Sequence, residues 1–278
     1  MSLTIHSKIV DLDHLIPKVV DSEQVESDIS NLIPWVYQHS DTADEDNALN
    51  WPTEHNKFNL FFTELVSYRA ELEAYTASSD DDTGTGTGTG TGTKCLLLRK
   101  LVEEVYLGLD MEGQKRKVKF TTSAQDIKYT IGGTRYVSRL EGAANIIDPG
   151  GHSLPIIAFT GSFPNQTRAE FLIETFSSML AQLTQKLEQK TEFHDQEVFV
   201  VVFNGFDFHI ARGFFPKDVI GRVRAEGFSG NEIQLEFTRG FRLWEKGNWS
   251  DAARGVGRRV AIPGSSRLPP ARCYLYTS

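Results

Sequence analysis

Residues 154–211 constrain the fold more than any other stretch of this chain. Residues 154–160 are a short apolar run, residues 167–190 carry a helical period, and residues 198–203 are a second apolar run that turns at Asn204-Gly205 into residues 206–211. The helix has a well-specified start, because Thr167-x-x-Glu170 is a capping box whose two side chains can satisfy exposed N–H groups of the first turn. Leu172, Phe176, Met179, Leu180, Leu183 and Leu187 form the expected buried stripe, with Gln182, Gln185, Lys186 and Glu188 on the expected solvent side. Asn-Gly between two apolar runs is a hairpin signal. Strand, helix and hairpin in this order place the chain in the α/β (α+β) class.

The preceding residues extend the pattern. Residues 94–109 repeat Leu98, Leu101, Val102, Val105 and Leu109 on one helical face, and the charged turn 111–117 follows. A β-meander is then expected: strands at 118–122, 127–131, 136–140 and 143–148, with Gly132-Gly133 as a hairpin turn and Pro149-Gly150-Gly151 leading into 154–160. Residues 1–77 read as an acidic helical region, broken by Pro17 and Pro34, whose strongest helix spans 54–75 with Phe58, Phe61, Phe62, Leu65, Leu72 and Tyr75 in register. Residues 78–93, three aspartates and a Thr-Gly alternation, have nothing large to bury and read as a flexible linker or loop. After the hairpin, 232–237 reads as a strand. Residues 254–278, with five arginines, three prolines and no period, read as an irregular basic tail, so the α/β core is expected to span 94–253.

Composition narrows the functional classes. No run approaches the roughly 18 to 20 apolar residues of a membrane helix, so no membrane partner is expected. Asp11, Asp13 and Asp21 stand where a secretory signal needs a basic start, so an intracellular location, nuclear or cytoplasmic, is expected. Cys95 and Cys273 have no metal-type spacing, and Cys95 reads as helical core. The net charge of −8 is unevenly spread: residues 1–93 hold 4 basic and 17 acidic side chains, and the remainder is net basic. The acidic third favours a protein partner, and the basic remainder leaves room for a local nucleic-acid-binding face.

Catalytic motifs are few. Gly132-Gly133 and Gly150-Gly151 are turn glycines, since neither precedes a Lys-Ser/Thr at P-loop spacing. Asp148, His152 and Ser153 lie too close in sequence to form a relay, and His194 and His209 are scattered.

With helix, meander, long helix and the words Val198-Phe199-Val200-Val201-Val202-Phe203-Asn204-Gly205 and Phe206-Asp207-Phe208 in place, residues 94–215 resemble the PD-(D/E)XK nuclease-like superfamily, especially the divergent branch found in fungal proteins. The resemblance implies a restriction-endonuclease-like mixed sheet flanked by helices. It also implies two acids that hold a divalent metal, Mg2+, beside the scissile phosphate, and a lysine that steadies the attacking water. Aligned with this chain, those positions fall on Asn145, Ala158 and Thr160, which lack the required charge. Asp148, three residues late, and Glu103 or Glu104 on the preceding helix are the candidate migrated acids. Lys115, Arg116, Lys117 and Lys119, with Lys128, Arg135 and Arg139 on neighbouring strands, form the candidate phosphate-contacting surface. The expectation is a degenerate nuclease-like binding or interaction module with no cofactor. The alternatives are an active metal-dependent nuclease using migrated acids, and a protein-interaction domain with no nucleic-acid role.

Overall fold

A computed structural model describes residues 4–17, 27, 29, 31–78, 90–109, 117–121, 124–147, 153–161, 166–188, 194–228 and 232–261. Within them lies a seven-stranded mixed sheet with helices on both faces and a separate two-stranded hairpin. The elements in order are β1 (Thr4–Ile9), α1 (Leu12–Leu15), α2 (Glu45–Leu49), α3 (Asn59–Ser78), α4 (Gly90–Gly108), β2 (Lys117–Thr121), β3 (Gln125–Ile131), β4 (Thr134–Leu140), β5 (Gly142–Ile147), β6 (Ser153–Gly161), α5 (Arg168–Glu188), β7 (Gln196–Asn204), β8 (Asp207–Phe215), α6 (Lys217–Glu226), β9 (Glu232–Phe237) and α7 (Lys246–Ala261).

The strand order is β1-β9-β8-β7-β6-β5-β2. β6 and β7 run parallel because the long α5 carries the chain back between them, while β7 and β8 are an antiparallel hairpin. Gly205 takes φ +58° in that tight turn, where a side chain is strained. The capping box forms as expected: the Thr167 amide donates to Glu170 at 2.8 Å, and the Glu170 amide donates to the Thr167 hydroxyl at 3.3 Å.

Alternation along the strands divides the core in two. Phe159, Phe199, Val201, Phe203 and Ile210 face α3, α4 and α7, where Phe58, Phe61 and Phe62 close around the fully buried Trp249. Ala158, Val198, Val200, Val202 and Ala211 face the other way, with Phe176, Met179 and Leu183 of α5 and Ile220 and Val223 of α6.

Four expectations need correction. The region 1–77 is not purely helical, because Thr4–Ile9 adds a parallel edge strand beside β9. Its helix α3 also shares one apolar cluster with β6 and β7, so it packs as part of the core. The four-strand meander is interrupted: β2 pairs with β5, and β3–β4 form their own ribbon. Val118 and Phe120 of β2 pack into the α4 side of the core, whereas β3–β4 have an apolar face and a polar face that suit a layer covered on one side only. Residues 90–93 of the Thr-Gly repeat form the first turn of α4, an extension of the helix nucleated by its apolar half, while residues 79–89 lie outside the described residues.

The fourth correction concerns the tail, which is helical through Ala261. Small residues hide its period. Ala252, Ala253, Val256 and Val260 make the buried stripe, and a Cβ on Gly255 would stand 2.5 Å from Ile210 Cδ1. Arg258 is 1% exposed and donates to Asp13 at 2.6 Å and to the Ile16 carbonyl at 3.3 Å. Arg259 lies 4.4 Å over the Phe199 ring, and burial pushes its guanidinium down to about 10, with the Glu197 charge opposing. Residues 262–278 lie outside the described residues.

Candidate functional site

Asn145, Ala158 and Thr160 sit on adjacent strands and share the sheet face under α5. Ala158 pairs across to Ala143, and Asn145, two residues further along β5, pairs with Pro155 after a bulge at Ala144/Asn145. All three are buried, at 8%, 0% and 1% exposure. The Thr160 hydroxyl donates to Glu174 Oε1 at 3.2 Å, and Gln166 Nε2 donates to Glu174 Oε2 at 2.6 Å. Glu174 is therefore an acid in direct contact with one of these positions, Thr160. Nothing in its spacing marks it in the sequence, because it reaches Thr160 only through the angle at which α5 crosses the sheet.

This donor set does not fit a Mg2+ ion. The ion prefers near-octahedral oxygen ligation with one or two carboxylates, whereas these positions offer an amide, a methyl, a hydroxyl and one carboxylate whose two oxygens each already accept a hydrogen bond. Among the described residues, no group of three or more His, Cys, Asp or Glu side chains is arranged to hold a metal.

Glu103 and Glu104 are not brought to this face. They lie on α4, whose buried residues Leu98, Leu101, Val102 and Val105 belong to the cluster on the opposite side of the sheet. Glu103 pairs with Arg99 at 3.3 Å and Lys100 at 3.5 Å. Glu104 is half-buried, and desolvation raises its pKa, with Lys100 opposing, Glu103 adding and Lys57 opposing. Asp148 lies outside the described residues.

The basic candidates separate into two places. Lys115 and Arg116 lie outside the described residues, and of Lys117 only the backbone in β2 is described. Lys119 is exposed on the edge strand β2, opposite Asn145. Lys128, Arg135 and Arg139 share the outer face of the β3–β4 ribbon, all exposed, and among the described residues none of the three is in an ion pair. One acid, Asp126, accompanies them, opposite Arg139. The inner face packs against α5 and α6: Tyr129 and Leu140 are buried, the Tyr129 and Ser177 hydroxyls are 2.8 Å apart, and the Gly132 amide donates to the Val223 carbonyl at 3.0 Å.

The sequence period misplaced part of α5. Thr175, Ser178 and Gln182 are fully buried, and flanking contacts place their line over β6 and β7: Glu174 meets Thr160 of β6, and Lys186 Nζ donates to the Glu197 carbonyl of β7 at 2.8 Å. Thr175 donates back to the Phe171 carbonyl at 2.8 Å, but Ser178 Oγ and both polar atoms of Gln182 have no hydrogen-bond partner among the described residues. His209 is half-buried against Phe171 and Phe237 with Nδ1 3.1 Å from the Thr238 carbonyl; desolvation lowers its pKa, against that hydrogen bond and Asp207.

No protein-family model matches this chain, and no curated protein matches it significantly. Among the described residues, no helix is long and apolar enough to cross a membrane.

Proposed function

We propose that the chain is a degenerate PD-(D/E)XK nuclease-like domain that binds nucleic acid and does not cut it. The observation that carries the binding half is the outer face of the β3–β4 ribbon, where Lys128, Arg135 and Arg139 stand exposed with no ion pair among the described residues. The fold reading is supported by the order of helix α4, antiparallel strands β2, β5 and β6, crossing helix α5 and parallel strand β7, with the ribbon inserted after β2. The non-catalytic reading is supported by Asn145, Ala158 and Thr160 lying buried on one face with no charge of their own.

Two measurements on the full chain test it. Nucleic-acid affinity should fall with salt, and replacing Lys128, Arg135 and Arg139 together by alanine should weaken it by about tenfold or more at fixed salt. An unchanged affinity refutes the ribbon as the contact. Incubation with DNA or RNA and Mg2+ or Mn2+ should give no cleavage. Cleavage lost on Asp148→Ala would instead establish the active nuclease with a migrated acid. Salt-independent behaviour with no nucleic acid retained points to a protein-interaction domain, the reading favoured by the acidic N-terminal third.

A further inference from the structure

The β3–β4 hairpin is a ribbon with one face built onto the protein and the other open. Each strand has seven residues. Cross-strand register fixes the open face as Asp126 beside Arg139, Lys128 beside Val137 and Thr130 beside Arg135. Val137 is 56% exposed although apolar, so the centre of this face is a hydrophobic spot ringed by three cations. The other face is held at two points along its length, by Tyr129 against Ser177 and by the turn amide of Gly132 against the Val223 carbonyl. The ribbon is thereby ordered before any ligand arrives, which removes an entropic cost of binding.

We infer that this ribbon enters the major groove of duplex DNA with its open face toward the base edges. The inference rests on the nucleic-acid-binding reading above and specifies its ligand. Two strands about 4.8 Å apart fit a groove roughly 12 Å wide. Seven residues at about 3.4 Å each span roughly 24 Å, close to seven base pairs. The side chains match what the groove displays: Lys128, Arg135 and Arg139 are donors suited to guanine O6 and N7, Asp126 accepts from cytosine N4, and Val137 suits the thymine methyl.

The same geometry disfavours other nucleic acids. Single-strand recognition uses aromatic platforms on the binding face, but the open face carries no aromatic ring: Tyr136, although 44% exposed, alternates onto the inner side and stacks on Tyr129 at 5.7 Å. The major groove of an RNA duplex is too deep and narrow for side chains to read. The partner fitting both the charge and the width is B-form DNA.

The test uses the full chain and three fluorescent probes: a 20-base-pair mixed-sequence DNA duplex, one of its single strands, and an RNA duplex of the same sequence, with affinity read by anisotropy at fixed salt. The DNA duplex should bind at least about tenfold more tightly than the other two, and Val137→Asp and the pair Arg135→Ala, Arg139→Ala should each weaken it by about tenfold or more. These positions are exposed, and an unchanged thermal melt shows that the variants remain folded. Methyl green, a major-groove ligand, should displace the protein, and netropsin, a minor-groove ligand, should not. Equal affinity for duplex and single strand, or displacement by netropsin alone, overturns the ribbon inference while leaving nucleic-acid binding intact. Absence of salt-sensitive binding to all three probes overturns both.

Discussion

Replacing Gln182 by methionine should stabilise the protein. Gln182 is fully buried in the line of α5 that lies over β6 and β7, and among the described residues neither its amide nitrogen nor its oxygen has a hydrogen-bond partner. Each unsatisfied buried group costs about 1 to 3 kcal/mol, and methionine keeps the length and flexibility of the side chain without the polar atoms. Allowing about 1 kcal/mol for imperfect packing of the thioether, the gain is about 2 kcal/mol. For a chain of 278 residues, an unfolding entropy of about 2.1 cal/mol/K per residue turns that gain into a rise of roughly 3 °C in Tm. Differential scanning calorimetry, backed by urea midpoints at constant m, reads it directly. The control is Thr175→Val, one face of the same helix and equally buried, whose hydroxyl already donates to the Phe171 carbonyl. It should give no gain. A fall in Tm for Gln182→Met, or an equal rise in both variants, refutes the argument from unsatisfied polar atoms.

Trp249→Ala should cost about 3 to 5 kcal/mol, since it empties the site enclosed by Phe58, Phe61 and Phe62; chemical denaturation measures it. Gly132→Ala should cost more than Gly133→Ala: both carry the roughly 1 to 2 kcal/mol strain of a left-handed backbone, but only at Gly132 does the new Cβ meet backbone of α6, 3.2 Å from the Gly227 nitrogen, so equal losses would refute the docking of the turn. Partial burial disfavours the protonated form of His209 in the fold, and the ring protonates more readily in the unfolded chain, so its contribution is fully present above the ordinary imidazole value of about 6.5 and is lost as pH falls through its lower folded value. His209→Gln should therefore flatten the loss of stability between neutral and mildly acidic pH, and an unchanged pH slope argues against it. Ala158→Glu places an unpaired carboxylate at 0% exposure under α5 and should lower stability by about 4 kcal/mol or more; a folded variant with unchanged melting refutes the closed packing of that face.

The strands and the long helix between α4 and β9 were legible because their periods are written in large side chains, whereas α6, short and densely charged, was not. Val198 to Phe203 are apolar at every position, which suits a central strand buried on both faces, and Asn204-Gly205 supplies the turn. The end of α7 was not legible, because glycine and alanine carry its buried stripe and the arginines beside them look like solvent-facing charge until Asp13 and the Phe199 ring are brought next to them. Gln182 was misplaced for a related reason. A helix covered by a sheet on one side and by the β3–β4 ribbon on another buries more than its apolar stripe, and the sequence period reports only the stripe. The pairing of β2 with β5 across the inserted ribbon is a long-range choice that adjacent turn signals do not encode.

On the degenerate-nuclease reading, the vacated positions and the basic ribbon differ in accessibility, and that separates chemistry from binding. Ala158 lies between Ala143 and Val200 on the neighbouring strands, all three buried, with α5 over them and the ribbon packed in turn on α5. At 0% exposure Ala158 itself is closed to a phosphate while the helix is in place. Thr160, which a water-activating lysine would occupy in the family pattern, instead donates to Glu174 and ties strand to helix. On the degenerate-nuclease reading, the interior has therefore become packing that any restored charge would disturb. On the same reading, the surface offered to a polyanion is the outermost layer, where Lys128, Arg135 and Arg139 stand on a ribbon whose inner face is already held. The proposed recognition can then be altered there without cost to the core, and the core can be stabilised, as at Gln182, without touching it.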